Sequence, residues 1–317
     1  MLLLSGCGEQ YVQTTLAPKS DFGWMIQNLL ILIVILAAIV FVVVEGVLIY
    51  AIFRFRGRPG APLPNQVHGN TRLEIAWTIV PVVILVIIAV PTVQTIFAAA
   101  EVPTDAMNVR VVGRQWWWEV HYNDLNITSA NELVVPVGQK VSIDLESADV
   151  IHSFWIPQMG GKRDVVPNHV NNLWFTPEKT GVYYGQCAEY CGTSHANMRF
   201  RLVVVTQDEF DNWVKTQQVP ATPTTEEAKR GAEVFAQSAC VGCHTIDGTA
   251  AKGTSGPNLS HVGSRKALAG GIMDNTPENM ARWLKDPPGV KPGSLMPNLN
   301  LSDSDISALV AYLESLK

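Results

Sequence analysis

Cys187-Ala-Glu-Tyr-Cys191-Gly-Thr-Ser-His195-Ala-Asn-Met198 sets two thiols, an imidazole and a thioether within twelve residues. The segment before it, Gly181-Val-Tyr-Tyr-Gly185, reads as a strand. Thiolate and thioether are soft ligands, and imidazole suits copper as well as zinc. The methionine argues for copper, because structural zinc sites are built from Cys and His. One more imidazole would finish the set, and His152 in Val150-Ile-His-Ser-Phe-Trp-Ile156 offers it. A structural disulfide in an exported domain is the plain alternative. It leaves His152, His195 and Met198 without a task.

His-Ser-Phe-Trp-Ile-Pro (152–157), taken with Tyr-Tyr-Gly-Gln-Cys-Ala-Glu-Tyr-Cys-Gly-Thr-Ser-His-Ala-Asn-Met (183–198), resembles subunit II of haem–copper cytochrome c oxidases. The resemblance implies a dinuclear copper centre, CuA. Cys187 and Cys191 would bridge both coppers, His152 and Met198 would complete one, and His195 with the backbone carbonyl of Glu189 the other. It further implies that the Glu189 carboxylate reaches a magnesium or manganese ion shared with subunit I, since hard cations prefer oxygen. Lys162, Arg163 and Asp164 resemble the stretch that faces that subunit, with a solvated charge cluster as the bland alternative.

The chain has 317 residues, enough for two or three domains, and is 47% hydrophobic, which suggests membrane segments. Its net charge of −5 is uneven: residues 1–100 carry +1, 101–211 carry −6, 212–225 carry +1 and 226–317 carry −1. An acidic middle argues against nucleic acid and is compatible with docking a basic protein. The five cysteines separate into Cys7, the pair 187 and 191, and the pair 240 and 243.

Within the N-terminal segment 1–23, Leu4-Ser-Gly-Cys7 resembles a bacterial lipobox, in which signal peptidase cuts before Cys7 and the new N-terminal Cys is acylated; an ordinary buried thiol is the alternative. The apolar run before it is short and lacks the basic start of a signal peptide. Asn28 to Ile52 and Ala76 to Ala100 are each long and apolar enough to span a bilayer, giving a two-helix transmembrane hairpin over 24–100. Arg54, Arg56, Arg58 and Arg72 lie between them against a lone Lys19 before the first, which places that loop in the cytoplasm. The N-terminus and everything after residue 100 then face the periplasm. Trp24 and Trp77 sit where interfacial aromatics belong. Glu45 lies within the first span, where a carboxyl is costly and reads as a residue near the cytoplasmic interface. Glu74 matches the family's E-x-x-W, which implies the mouth of a proton channel in subunit I; a helix N-terminal acid favoured by the macrodipole is the rival reading.

From 107 to 205 the period changes. Met107–Val112, Leu133–Val137, Lys140–Leu145, Asn171–Phe175 and Phe200–Val205 read as short strands separated by turn signals. Such spacing suggests an all-β sandwich over 101–211, which the resemblance narrows to the cupredoxin type. Gly113-Arg-Gln-Trp116-Trp117-Trp118 resembles the family's G-H-Q-W-Y-W box, with Arg114 and Trp117 as departures. The resemblance makes Trp116 the surface aromatic through which electrons reach CuA. Strand alternation would set Trp116 and Trp118 on one face and Trp117 on the other, so at least one packs structurally.

Residues 212–225, rich in Pro and Thr, read as a linker. After it, Cys240-Val-Gly-Cys243-His244 is the attachment signal of covalent haem c, with His244 as the proximal iron ligand. Residues 226–317 therefore resemble an all-α class I cytochrome c domain. Met296, in Pro292-Gly-Ser-Leu-Met-Pro297, is expected as the sixth iron ligand. Met280 falls in a helical stretch and reads as core, Met273 sits in a Gly-rich loop, and His261 is a weaker candidate. A Met–His pair raises the haem potential, which suits a donor to copper.

The resemblance covers the hairpin, the sandwich and the cytochrome, and implies subunit II of a caa-type oxidase. Such a subunit takes electrons from an external cytochrome or quinol-oxidising complex and delivers them to subunit I, beside subunit III, in the bacterial inner membrane. A subunit of a nitric oxide reductase and a tethered shuttle without an oxidase are the alternatives. A copper-delivery protein would need a thioredoxin-like βαβ pattern, which this sequence lacks.

Overall fold

The computed structural model describes residues 11–57, 59–60, 62 and 65–317. Cys7 and its lipobox lie outside the described residues, as does Arg58 of the basic loop. The chain divides into a globular unit, Met1–Trp24 with Val102–Lys317, and a helical unit, Met25–Glu101.

The helical unit is built from α1 (Asp21–Arg54) and α2 (Thr71–Ala100). Both exceed the roughly 20 residues needed to span hydrocarbon, and both extend the sequence-predicted spans toward their N-termini. In α2 the start is set by Asn70, whose side chain accepts from the backbone N–H groups of Arg72 and Leu73. Pro81 and Pro91 lie inside α2. They remove backbone donors, a loss tolerated better in a membrane helix than in a soluble one.

The globular unit begins with ten strands in two five-stranded sheets. The first sheet runs β3 (Ile127–Ala130), β2 (Trp117–Tyr122), β1 (Met107–Arg114), β5 (Val141–Ser147), β8 (Asn171–Phe175). The second runs β4 (Glu132–Pro136), β10 (Arg199–Val205), β9 (Gly181–Cys187), β6 (His152–Trp155), β7 (Arg163–Val165). Parallel pairings of β1 with β5 and of β4 with β10 link otherwise antiparallel neighbours, the mark of a cupredoxin-like sandwich rather than a meander. The six strands read from the sequence, Gly181–Gly185 among them, all form, and β2, β3, β6 and β7 add to them.

Trp118 sits at the centre, fully buried, edge-on to Phe154 at 5.2 Å and to Phe200 at 5.7 Å. Phe200 in turn stacks on Phe154 at 4.3 Å. Gly185 faces that ring across the sheet, where any Cβ would collide with it. Simple alternation fails for the tryptophan triplet. Trp116 stands in the turn between β1 and β2, outside either strand, while Trp117 and Trp118 are both buried. Trp117 is covered by the Arg114 guanidinium at 5.6 Å.

Helix α3 (Gln207–Gln217) follows β10 directly and runs through residue 211, where composition alone suggests the sandwich ends. Thr206 and Glu209 close a capping box at its start. Phe210 is buried against Val134 and Val203, with Trp213 beside it, so the helix covers one end of the sandwich. The C-terminal part comprises α4 (Glu226–Gln237), the two-residue ribbon β11 (Ala267–Leu268) and β12 (Met273–Asp274), α5 (Pro277–Lys285), α6 (Pro287–Val290) and α7 (Asp303–Ser315). Phe235, Ile246, Met280, Leu309 and Leu313 form its core. Gly231 lets α4 cross α7 so closely that a Cβ there would strike the Ala308 carbonyl.

Replacing Trp118 by alanine should cost about 3–5 kcal/mol of sandwich stability, the range for large-to-small changes at well-packed aromatics. Denaturant unfolding followed by far-UV circular dichroism measures it. A loss under about 1 kcal/mol would mean the surrounding rings close over the gap.

Candidate metal centre and haem site

Two neighbouring strands set the first site. β6 and β9 pair antiparallel, with Phe154 opposite Cys187, so His152 opens one strand beside the point where Cys187 closes the other. The chain then loops out and returns at Met198, whose carbonyl accepts from the Cys187 N–H at 2.9 Å. All the predicted donors converge there. The Cys187 and Cys191 sulfurs stand 3.8 Å apart, both as free thiols. His152 Nδ1 lies 3.9 Å from Cys187 Sγ, His195 Nδ1 3.6 Å from Cys191 Sγ, and Met198 Sδ 3.8 Å from Cys191 Sγ. The Glu189 carbonyl is 3.3 Å from Cys187 Sγ. His152 and Met198 are fully buried and both cysteines nearly so, while His195 is only half-buried, beneath Tyr190.

The electrostatics of the pair are those of two sulfurs sharing one proton. A hydrogen bond from the Cys191 thiol outweighs burial and, with His152, holds Cys187 well below the usual thiol range. The same contact, with burial and the Cys187 charge, pushes Cys191 strongly up. Two adjacent buried thiolates are unfavourable without a cation, and a metal ion would supply that cation.

Sequence reasoning missed the residues that hold these donors in place. Asp149 Oδ1 is 2.7 Å from His152 Nε2, so the ring turns Nδ1 toward the sulfurs. Burial opposes charge on both groups, yet their contact lowers the Asp149 carboxyl and raises His152. Asp149 also accepts from the Gln115 backbone at 2.6 Å, which ties the Trp116 turn to the metal loop. Gln115 Nε2 and Trp116 Nε1 both donate to the Cys191 carbonyl, at 2.8 Å and 3.0 Å. An aspartate three residues before a predicted ligand was the available signal.

The haem motif lies on a short 3-10 turn, Ala239–Gly242, at the end of α4. Cys240 is half-buried and Cys243 exposed. His244 is buried, and its Nδ1 donates to the Pro257 carbonyl at 2.8 Å. That bond fixes the tautomer and leaves Nε2 free for a metal. Burial lowers the His244 pKa, favouring the neutral, ligating form. Gly256 lets the ring lie flat against the backbone, since a Cβ there would stand 2.7 Å from Cε1. Met296 is half-buried in the loop before α7 and packs at the edge of the core. Met280 lies inside the core on α5. Met273 is on β12, and His261 is buried at the start of a 3-10 turn.

The carboxylates of Glu74 and Glu189 each have a local backbone partner. Glu74 Oε1 accepts from the Asn70 N–H at 3.2 Å, an N-terminal cap on α2. The Glu189 carboxylate is exposed and accepts from the Tyr190 N–H at 3.2 Å. Of the charged stretch, Lys162 donates to the Ala188 carbonyl beside the metal loop, and Arg163 donates to Asn172 within the sheet.

Three family models match the chain: cytochrome c oxidase subunit II, transmembrane domain, over residues 9–95; the periplasmic domain of the same subunit over 125–206; and cytochrome c over 228–317. Cytochrome c oxidase subunit 2 of Alkalihalophilus pseudofirmus is 39% identical over 325 residues, spanning 100% of this chain and 94% of that protein. The subunit 2 of Bacillus sp. strain PS3 is 40% identical over 341 residues, with 100% and 94% covered. The crystal structure of the periplasmic domain of subunit II from Bradyrhizobium japonicum is 36% identical, covers 37% of this chain and 97% of its own, and has a TM-score of 0.36.

Asp149→Asn should retain the fold but weaken copper binding about 10–100-fold, the usual cost of losing a partner to a ligating imidazole. Competition with a copper chelator measures it, and unchanged affinity would deny Asp149 that role.

Proposed function

The chain belongs to the cytochrome c oxidase subunit II family, in a form that carries a cytochrome c domain, and on that premise we propose a two-centre electron relay along it. It is the electron-transfer subunit of a multi-subunit haem–copper oxidase of the bacterial inner membrane, with its globular domains on the periplasmic side. In the proposed relay an external donor reduces a covalent haem c, a dinuclear copper centre takes the electron next, and subunit I receives it and reduces oxygen to water with proton pumping.

The donor set fits a copper pair. With the two sulfurs the site offers six candidate donor atoms, more than a single tetrahedral ion accepts. If both thiolates bridge, each ion gains one imidazole and one weak donor, Met198 on one side and the Glu189 carbonyl on the other. Two sulfurs sharing a metal at about 2.3 Å in tetrahedral geometry would stand about 3.8 Å apart, and the Cys187 and Cys191 sulfurs are 3.8 Å apart. Soft sulfur donors with imidazole select copper over harder ions. Cys240 and Cys243 would carry the haem through thioether bonds, with His244 and Met296 on its iron. The exposed Glu189 carboxylate is the proposed oxygen ligand for a magnesium or manganese ion shared with subunit I.

One observation carries the path between the centres. The Trp116 indole donates to the Cys191 carbonyl at 3.0 Å, while its far edge lies so close to Gly293 that a Cβ there would stand 3.0 Å from Cζ3 and Cη2. Three residues beyond Gly293 is Met296. A single aromatic ring thus reaches from the backbone of one proposed copper ligand to the loop of the proposed iron ligand. Glu74 is proposed to admit protons to subunit I while also capping α2.

The relay predicts the seven-line hyperfine pattern of one electron shared equally by two copper nuclei, together with a c-type α band, in the purified chain. Cys191→Ser should remove the copper pattern and keep the haem band. A haem band with no copper signal in the wild type would leave only a tethered cytochrome. For Glu74, Glu74→Gln in the assembled oxidase should slow proton uptake with both spectra unchanged; equal uptake would reduce Glu74 to a helix cap.

A further inference from the structure

The cytochrome part and the sandwich meet around one buried cation. Lys291 follows α6, is 4% exposed, and has no carboxylate of the described residues at ion-pair distance. Its Nζ donates to the Trp116 carbonyl at 2.6 Å and to the Ala269 carbonyl at 3.0 Å. One acceptor belongs to the sandwich and the other to the cytochrome part, so the ammonium bridges the two. Burial pushes its pKa down to about 7, with the Cys191 sulfur acting against that. A lysine is almost never buried this deeply without a counter-ion, and an apolar side chain would fill the space at lower cost.

The neighbouring contacts share the same target. The Arg199 N–H donates to the Gly270 carbonyl at 2.8 Å, joining the start of β10 to the loop between β11 and β12. Gly270 has φ +77, and a Cβ there would collide with Lys291 Nζ and stand 3.1 Å from the Trp116 carbonyl. Ser194, in the metal loop, donates to the Pro292 carbonyl. Gly293, with φ +83, passes under the Trp116 ring. Backbone thus meets backbone on both sides of Trp116, and Lys291 provides the charged link.

We propose that Lys291 is a positioning residue that docks the cytochrome domain on the Trp116 turn and so fixes the gap an electron crosses between haem and copper. This rests on the relay proposed above. In the step it governs, one electron leaves the reduced haem and reduces the copper pair by one; no bond forms or breaks and no proton moves. Without the ammonium, two part-buried carbonyls lose their donor, and loss of charge-assisted hydrogen bonds of this kind shifts the docked fraction about tenfold or more.

The test uses the full-length chain loaded with haem and copper, its haem reduced by a light flash and copper reduction followed optically. Lys291→Met should slow transfer from haem to copper about tenfold or more, with both spectra and both midpoint potentials unchanged. Lys291→Gln, which keeps a donor, should fall between. Hydrogen exchange at the Arg199 amide should quicken in Lys291→Met even without metal. An unchanged internal rate in both variants would overturn the proposal. So would failure of both to accumulate with haem, since Lys291 would then serve folding alone. Absence of the copper signal in the wild type would instead defeat the relay and is read separately.

Discussion

Two sulfurs held 3.8 Å apart in a nearly dry pocket form the constraint around which the globular unit is arranged. Side by side they cannot both lose their protons without a cation, and a polypeptide gains nothing from such a pair on its own. Holding them there takes rigid walls on every side. The β6–β9 pairing sets His152 against Cys187, the Met198 carbonyl returns the loop to the sheet, and Trp118 packs behind His152 at 5.9 Å. The sandwich is therefore a frame whose ligand end is fixed by the same ring cluster that stabilises its centre. Preorganised donors need little motion when a bound metal changes charge, the condition that favours fast electron exchange.

The second consequence of that frame is a shared edge. The Cys191 carbonyl is taken by Gln115 and Trp116, so the loop of the candidate donors and the Trp116 turn are one hydrogen-bonded unit. The cytochrome part comes to that turn through glycines, which let backbone approach where side chains would not fit. A tether of Pro and Thr alone would raise the local concentration of donor near acceptor. The contacts at Gly270, Lys291 and Gly293 add orientation, which a tether cannot provide.

The sequence made the membrane helices, the main strands, the metal-ligating types and the haem motif legible because each is local. Long apolar runs, alternation and C-x-x-C-H are decided within a few residues. The tryptophan box was half legible. Its composition marked an unusual site, but placing Trp116 in a turn and Trp117 and Trp118 in the core requires the β1–β2 register, with Gly113 opposite Trp118. Helix α3 was obscured because its apolar face is short, and its worth comes from Phe210 meeting Val134 and Val203 across the fold. Asp149 and Lys291 carry no motif. Asp149 stands only three residues before His152, while Lys291 is significant only through a partner brought near by folding, Trp116, 175 residues away.

The central claim is that six donors from two loops hold two coppers beside one haem. Metal analysis of the purified full-length chain, after haem attachment and copper loading, tests it most directly. The account predicts two copper atoms for each iron, both lost together when either Cys187 or Cys191 is replaced. One copper per iron, or a single zinc retained against copper, would contradict it.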